Sequence, residues 1–420
     1  MRSVTCRKSY LWLFLVVLFL LQNRLQQSYN VFQYLDEIFA LLVIPLLIVN
    51  LLQKKKKIIW DRSNILLAIC LLIFWMFGWA GFFKYHYQPF TNAFKDAFVN
   101  IKFFLALGTS FLMFDDEKID FESFKDKIWP VLNVITIVLF VLCLADLSFG
   151  IFSTETRGGM RAVKLFYSAY TFLVAQCVFL SAVYLWFYEN KRKQIMLPLL
   201  MLAFIMLSTR RAKAMGIVAC ILLIYLFVFY HKRKKMSKKI IVMTSVVLGF
   251  AVAGGIYQLV SYYYTMGVES ARAVLTIGAP FVAADHFPFG SGWGTYGSTF
   301  SVEPYSPVYG MYRMAGVWGM SPDFHDFLSD TFWPMLLGQC GYFGFVAYLG
   351  AAFVLIKKIF TLKTDKSTFA SVLVPVLYLF ISSTSESAFV NPMSIPLAFW
   401  IGFLFAQYKV GNETKQEMIL

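Results

Sequence analysis

The stretch Asn64–Phe83, NILLAICLLIFWMFGWAGFF, carries no charged residue along its whole length. It matches the ~20 apolar residues that a helix needs to cross the hydrocarbon core of a bilayer. Lipid offers no partner to a bare N–H or C=O, so such a run must be a helix that satisfies its own backbone. Similar runs recur at 9–22, 33–53, 98–114, 129–150, 166–188, 194–208, 214–230, 240–260, 331–356, 367–384 and 394–408. The expected fold is an all-α, polytopic integral membrane helical bundle of about 12 transmembrane helices, one membrane domain over 1–420. Hydrophobic residues make up 59% of the chain, more than a soluble domain of 420 residues hides.

The net charge of +15 does not point to nucleic acid, because the basic residues sit in short tracts between apolar runs. Lys54–Lys57, Lys191-Arg192-Lys193, Lys232–Lys235 with Lys238-Lys239, and Lys357-Lys358 with Lys363 and Lys366 fall in alternate connections, on the side of Arg2, Arg7 and Lys8. That side is cytoplasmic by the positive-inside rule, which puts both termini in the cytoplasm. The mixed-charge tract Asp115–Lys127 also falls inside. The run Tyr10–Leu21 imitates a signal peptide, but Gln22-Asn23-Arg24 follows it, so it reads as an uncleaved first span. Cys6, Cys70, Cys143, Cys177, Cys220 and Cys340 show no CxxC spacing and read as small core hydrophobes rather than disulfide or zinc ligands.

Most connections are short. The exception is 261–329, a large extracytoplasmic loop between spans nine and ten, rich in Gly, Pro, Tyr and Trp. A loop of that length is usually functional or disordered, and its aromatic content argues against disorder. Val268–Ala284 reads as an amphipathic helix at the interface.

Several constellations stand out against this background. Ser208-Thr209-Arg210-Arg211-Ala212-Lys213 joins spans seven and eight on the outer face, where clustered cations oppose the charge rule. If the stretch is helical, Arg210 and Lys213 share a face and Arg211 points away. A guanidinium fork suits phosphate oxygens, while the alternative is snorkelling to lipid headgroups. At the end of the loop, Pro322-Asp323-Phe324-His325-Asp326 precedes Ser329-Asp330-Thr331-Phe332-Trp333-Pro334. His325 suits a proton acceptor near neutral pH, or is simply a hydrated loop histidine. Metal binding by Asp323, His325 and Asp326 is disfavoured, since no helical HExxH or comparable framework supports it. Arg272 precedes a glycine-rich turn in which Gly292, Gly294 and Gly297 spell GxGxxG. No strand precedes that motif, so it is not a dinucleotide fingerprint, and its glycines let the backbone turn tightly against a ligand or a helix end. Arg157, Arg161 and Lys164 form an outer cationic tract, Glu386 lies in the polar stretch Ser382–Ser387, and Lys102 is a mid-span charge.

Three of these segments together resemble the O-antigen ligase and polysaccharide polymerase superfamily. They are Leu207–Ala212, Arg272 through His286-Phe287-Pro288-Phe289-Gly290-Ser291-Gly292, and Asp330-Thr331-Phe332-Trp333-Pro334 through Gly338-Gln339-Cys340-Gly341-Tyr342-Phe343-Gly344. The last is closest in wording to Gram-positive capsule and exopolysaccharide polymerases. The likeness covers about 200–345 in detail. It departs where many family members, ligases above all, carry His-Asn about a dozen residues before the GxxG, for here Ser329-Asp330 stands and His325 lies four residues earlier.

The resemblance implies a glycosyltransferase at the outer face of the cell membrane that takes glycan from an undecaprenyl pyrophosphate carrier. In the polymerase version the chain passes to the next lipid-linked repeat unit. It implies no cofactor and no metal, with catalytic roles at His325, Asp330 and Arg210, and substrate contacts at Arg211, Lys213, Arg272, Arg157 and Arg161. Implied partners are the lipid-linked glycan, membrane lipids, and a flippase and chain-length regulator of the same pathway. His325 and Asp330 both stay open as the base. A ligase that hands glycan to a terminal acceptor is the alternative. A transporter of lipid-linked oligosaccharide or polysaccharide is the second, and would be expected to carry charges inside spans and paired broken helices.

Overall fold

The computed structural model describes residues 2–52, 62–116, 118–230, 256 and 260–417. The predicted ninth span, 240–260, falls almost wholly outside the described residues. The other predicted spans coincide with helices. These are α1 (Arg2–Ser28), α2 (Leu35–Leu41) running into α3 (Val43–Leu52), α4 (Arg62–Tyr85), α5 (Phe90–Phe114), α6 (Phe121–Phe149), α7 (Tyr170–Trp186), then after the short α8 (Tyr188–Lys191), α9 (Met196–Ser208) and α10 (Ala212–Tyr230). Beyond them come α11 (Ala271–Asp285), α12 (Pro307–Met311), α13 (Trp333–Thr361), α14 (Lys366–Ser382) and α15 (Ser394–Glu417). Seven helices among the described residues are long and apolar enough to cross a membrane, and α7, α9 and α14 are shorter apolar helices. The fold is an all-α bundle of membrane-spanning composition.

Local chemistry explains the helix ends. Asp120 caps α6, accepting from the amides of Glu122 and Ser123 at 3.1 and 3.3 Å, and Gly150 closes that helix in the left-handed conformation. Asp365 caps α14 in the same way, at 3.1 Å from the Thr368 amide. Burial then sorts the helices. In α7 every residue from Leu173 to Trp186 is buried, as expected of a helix that is apolar all round and lies at the bundle centre. α4 instead presents Leu66, Ile69, Leu72 and Met76 outward, a face suited to lipid. Helices meet closely through small residues: a methyl group on Gly402 of α15 would come within 2.2 Å of the Leu107 carbonyl of α5.

Lys102 does not snorkel. It is buried on α5 and ion-paired with Asp36 of α2, with Glu37 at 3.2 Å and the Gln22 amide donating to Asp36 at 2.9 Å. A charge in lipid surroundings is tolerable only with such partners.

The predicted span 331–356 is interrupted. Within α13, Gly341 has φ 64° and ψ −175°, which breaks the helical ladder. The glycine-rich turn repairs the break. Ser291 N donates to the Gly338 carbonyl and Gly292 N to that of Gln339, each at 2.9 Å. The approach leaves no room for a side chain, since a Cβ on Gly290 would lie 2.3 Å from Gly341 N. Trp293, fully buried, donates to the Trp75 carbonyl at 3.2 Å, and Asp96 of α5 accepts from Gly294 N at 2.8 Å and from Ser298 Oγ at 2.5 Å. The GxGxxG glycines thus turn the chain against helix backbone. The remainder of 266–330 has its own small core, in which Leu275 and Val282 of α11 meet Tyr296, Tyr309 and Met320. α11 buries Leu275 and Val282 in that core while Ile277 and Phe281 stand exposed on the other side, so both of its faces are apolar, where the sequence reading expects one apolar and one polar face.

Removing the Lys102 ammonium strands Asp36 in a buried site, a loss of about 3–5 kcal/mol for a broken buried pair. Lys102→Met is therefore expected to lower the thermal unfolding temperature in detergent markedly. Lys102→Met with Asp36→Asn should recover part of the loss; a single variant as stable as the parent would show that the pair does not hold α2 to α5.

Candidate functional site

Four helix ends bring charged side chains to one cavity of about 220 Å³. Its walls include Tyr170, Arg211, Lys213, Arg272, Asp330 and Glu386. Lys213 sits in the first turn of α10 and Arg272 in the first turn of α11. Asp330 precedes α13, and Glu386 lies between α14 and α15. The two loops that carry the carboxylates are tied together, since Ser387 Oγ donates to the Ser329 carbonyl at 2.9 Å.

Arg272 donates from Nε and from a terminal nitrogen to the same Asp330 oxygen, at 3.1 and 2.9 Å. Lys213 and Glu386 approach to 3.4 Å. Arg211 lies over the Tyr170 ring at 4.9 Å, and Arg157 lies over that ring at 5.0 Å. The Tyr170 hydroxyl is fixed in turn by donating to Glu155 at 2.6 Å. That bond, with the Arg157 guanidinium, holds the Glu155 carboxyl below the usual carboxylate range. The buried Arg211 Nε meets no hydrogen-bond acceptor among the described residues. The cavity therefore holds three cations against two carboxylates. Two of the cations stand at helix N-termini, where backbone N–H groups and the helix dipole already favour an anion. The arrangement suits a ligand with several negative oxygens.

Burial pushes the Asp330 carboxyl above its usual range, against the opposing pull of Arg272. Glu386 is likewise raised by burial, with Lys213 opposing. Both carboxyls are thus better proton acceptors than solvated ones.

Arg210 and Lys213 do not share a helix face. The helix stops at Ser208 and restarts at Ala212, and between them Arg210 takes a left-handed backbone with φ 55°. Its guanidinium reaches Met160 Sδ at 3.1 Å and does not line the cavity, which takes Arg211 and Lys213 instead. Met160 belongs to a small hairpin, β1 (Thr156–Arg157) and β2 (Met160–Arg161), that the sequence left as a bare cationic tract. Arg161 donates to the Asp146 and Leu147 carbonyls at the end of α6, at 3.2 and 3.1 Å, outside the cavity. Arg157 stands behind Tyr170 rather than in the cavity wall. His325 is also outside it, with Nδ1 3.0 Å from the Pro322 carbonyl. Asp323, His325 and Asp326 form no metal-ligand group among the described residues.

No family model matches the chain, and no curated protein does. The geometry of this cavity is what bears on function.

Reading the sequence undervalued Glu386 and missed Tyr170. The only signal for Glu386 was its place in a serine-rich stretch at a helix end. Nothing local marks Tyr170, because its role is to stack two guanidiniums that arrive from other segments.

Because Asp330 occupies Arg272, protonating it releases the guanidinium and removes a repelling charge. Affinity for a polyanionic probe such as a pyrophosphate diester, whose phosphates keep their charge throughout, is therefore expected to strengthen as pH falls through the raised Asp330 range. Asp330→Asn should bind at neutral pH as the parent does when acidified. Calorimetric titration at several pH values checks this, and a flat pH profile for the parent would contradict it.

Proposed function

We propose that the chain is a polysaccharide polymerase that transfers glycan from an undecaprenyl pyrophosphate carrier to the next lipid-linked repeat unit. One observation carries the reading: Arg211, Lys213 and Arg272, three cations separated in sequence, line one cavity with Asp330 and Glu386. The segments that supply Arg211, Arg272 and Asp330 are the same three that resemble the O-antigen ligase and polymerase superfamily.

The chemistry is consistent with these groups. A hydroxyl oxygen of the acceptor attacks the anomeric carbon of the donor, and the bond from that carbon to the pyrophosphate oxygen breaks. Negative charge grows on the departing pyrophosphate, where Arg211, Lys213 and Arg272 stand as fixed donors. The hydroxyl proton passes to a carboxylate, and Asp330 is the better candidate than His325 because it faces the cavity. A carrier lipid also accounts for a site at the ends of membrane helices.

The reading includes the topology. Twelve spans, with 240–260 and the shorter helices α7, α9 and α14 among them, put both termini in the cytoplasm and 261–329 outside. In a cysteine-free background, Asp323→Cys should react with an impermeant thiol reagent in intact cells and Lys193→Cys should not. The reverse pattern overturns the orientation.

Losing one donor to the developing charge costs about 3 kcal/mol, roughly a hundredfold in rate. Arg211→Ala, Lys213→Ala and Arg272→Ala are each expected to cripple polymer formation at normal protein level, with Arg272→Lys a poor rescue. Asp330→Asn should lose polymer and His325→Ala should keep it. Gel analysis of lipid-linked glycans reads both. Gene deletion should leave single repeat units on the carrier, whereas long stranded chains would indicate a ligase. Full activity of the three alanine variants would sink the assignment.

A further inference from the structure

A second cavity, of about 300 Å³, adjoins the first. Met266, Glu269, Ser270, Trp318 and Phe327 line it, and it shares Arg272 and Asp330 with the cationic cavity. The Arg272–Asp330 pair is therefore the partition between two spaces of opposite character. One is cationic, while the other is largely apolar with a carboxylate and a hydroxyl at its rim.

Trp318 is the unusual member. It is 73% exposed although the loop around it is built with care. Its indole rests on Phe324 at 4.5 Å, and Phe324 meets Phe327 edge-on at 6.1 Å. Phe327 N donates to the Gly319 carbonyl at 3.0 Å, Ser321 N donates to that of Phe324 at 3.0 Å, and the Tyr305 hydroxyl donates to the Met320 carbonyl. Gly319 has φ 79°, and a Cβ there would strike the Phe327 ring at 2.1 Å. A supported, outward-facing indole over an apolar cavity is a ligand surface rather than a core residue out of place.

The walls select the ligand's chemistry. Among the described residues the lining carries two carboxylates, Glu269 and Asp330, against the single cation Arg272, which Asp330 already holds, and that balance disfavours an anion. An acyl chain would cover the Glu269 carboxylate and the Ser270 hydroxyl with hydrocarbon and offer neither a hydrogen bond. A pyranose ring meets both demands, with an apolar face of C–H bonds for the indole and hydroxyls for the carboxylates.

We propose that this second cavity binds a glycosyl ring of the acceptor, stacked on Trp318 and oriented by Glu269, with its reacting hydroxyl directed at Asp330. The inference rests on the cationic cavity being the pyrophosphate site. The hydroxyl oxygen then forms the new glycosidic bond across the partition, its proton goes to Asp330, and the pyrophosphate departs with the electron pair of the broken bond.

The test uses the purified full-length protein in detergent and two probes. Saturation-transfer NMR with methyl glycosides of glucose, galactose, N-acetylglucosamine and rhamnose reads the sugar site, and calorimetry with a pyrophosphate diester reads the anion site. Trp318 is exposed, so Trp318→Ala should unfold at the parent temperature. It should weaken glycoside binding at least tenfold, leave diester binding unchanged, and leave single repeat units on the carrier in cells. Trp318→Phe should restore most of both losses. Glycoside binding that survives Trp318→Ala, or a parent that binds the diester and none of the glycosides, overturns the sugar site while leaving the polymerase reading in place. A parent that binds glycosides through Trp318 but no diester upholds the sugar site and sinks the pyrophosphate assignment instead.

Discussion

The structure depends on a backbone problem at Gly341. A helix interrupted inside a bundle leaves carbonyls without their usual donors, and lipid supplies none. Here the amides of Ser291 and Gly292 take the place of the missing turn, at 2.9 Å from the carbonyls of Gly338 and Gln339. This repair pulls the segment after α11 into the bundle, where Trp293 and Asp96 hold it. α11 carries Arg272, and the chain just before α13 carries Asp330. Their meeting follows from how the turn is anchored.

Charge is handled by the same logic of local partnership. The Lys102–Asp36 pair is enclosed and satisfied, with the Gln22 amide filling a remaining acceptor position. The cavity is different. Lys213 and Arg272 each face a carboxylate too, but they are only partly covered, at 18% and 19% exposure of their side chains. A paired cation that still reaches an open space can exchange its partner, which a fully enclosed one cannot.

Much of the fold was legible in the sequence because membrane helices announce themselves locally: the run Asn64–Phe83 needs no tertiary knowledge to be read as helical. The interruption at Gly341 was not legible, since a glycine inside an apolar run is equally compatible with close helix packing, as at Gly402. The site was half legible. Arg211, Lys213, Arg272 and Asp330 stood out as polar residues in costly places, and the structure gathers them in one cavity. That Arg210 stands outside this cavity was not legible, because its left-handed backbone, which turns it toward Met160, has no signature in the residue itself. Glu386 and Tyr170 act only through partners far away in sequence, Lys213 for one and Arg157 and Arg211 for the other.

The division of labour within 286–330 has a further consequence. The turn 290–297 is locked to helix backbone at nearly every glycine, whereas 299–328 shares a small core with α11 and is tied to α5 and the residues just before it, where Gln88 donates to the Pro304 carbonyl and Asn92 to those of Phe300 and Glu303. Anchor and tip also meet, since Gly297 N donates to the Tyr309 hydroxyl at 2.8 Å. Only the exposed part of the tip, Trp318 for one, can change what lies beside Arg272 and Asp330 without touching the ties that hold the loop to the membrane bundle.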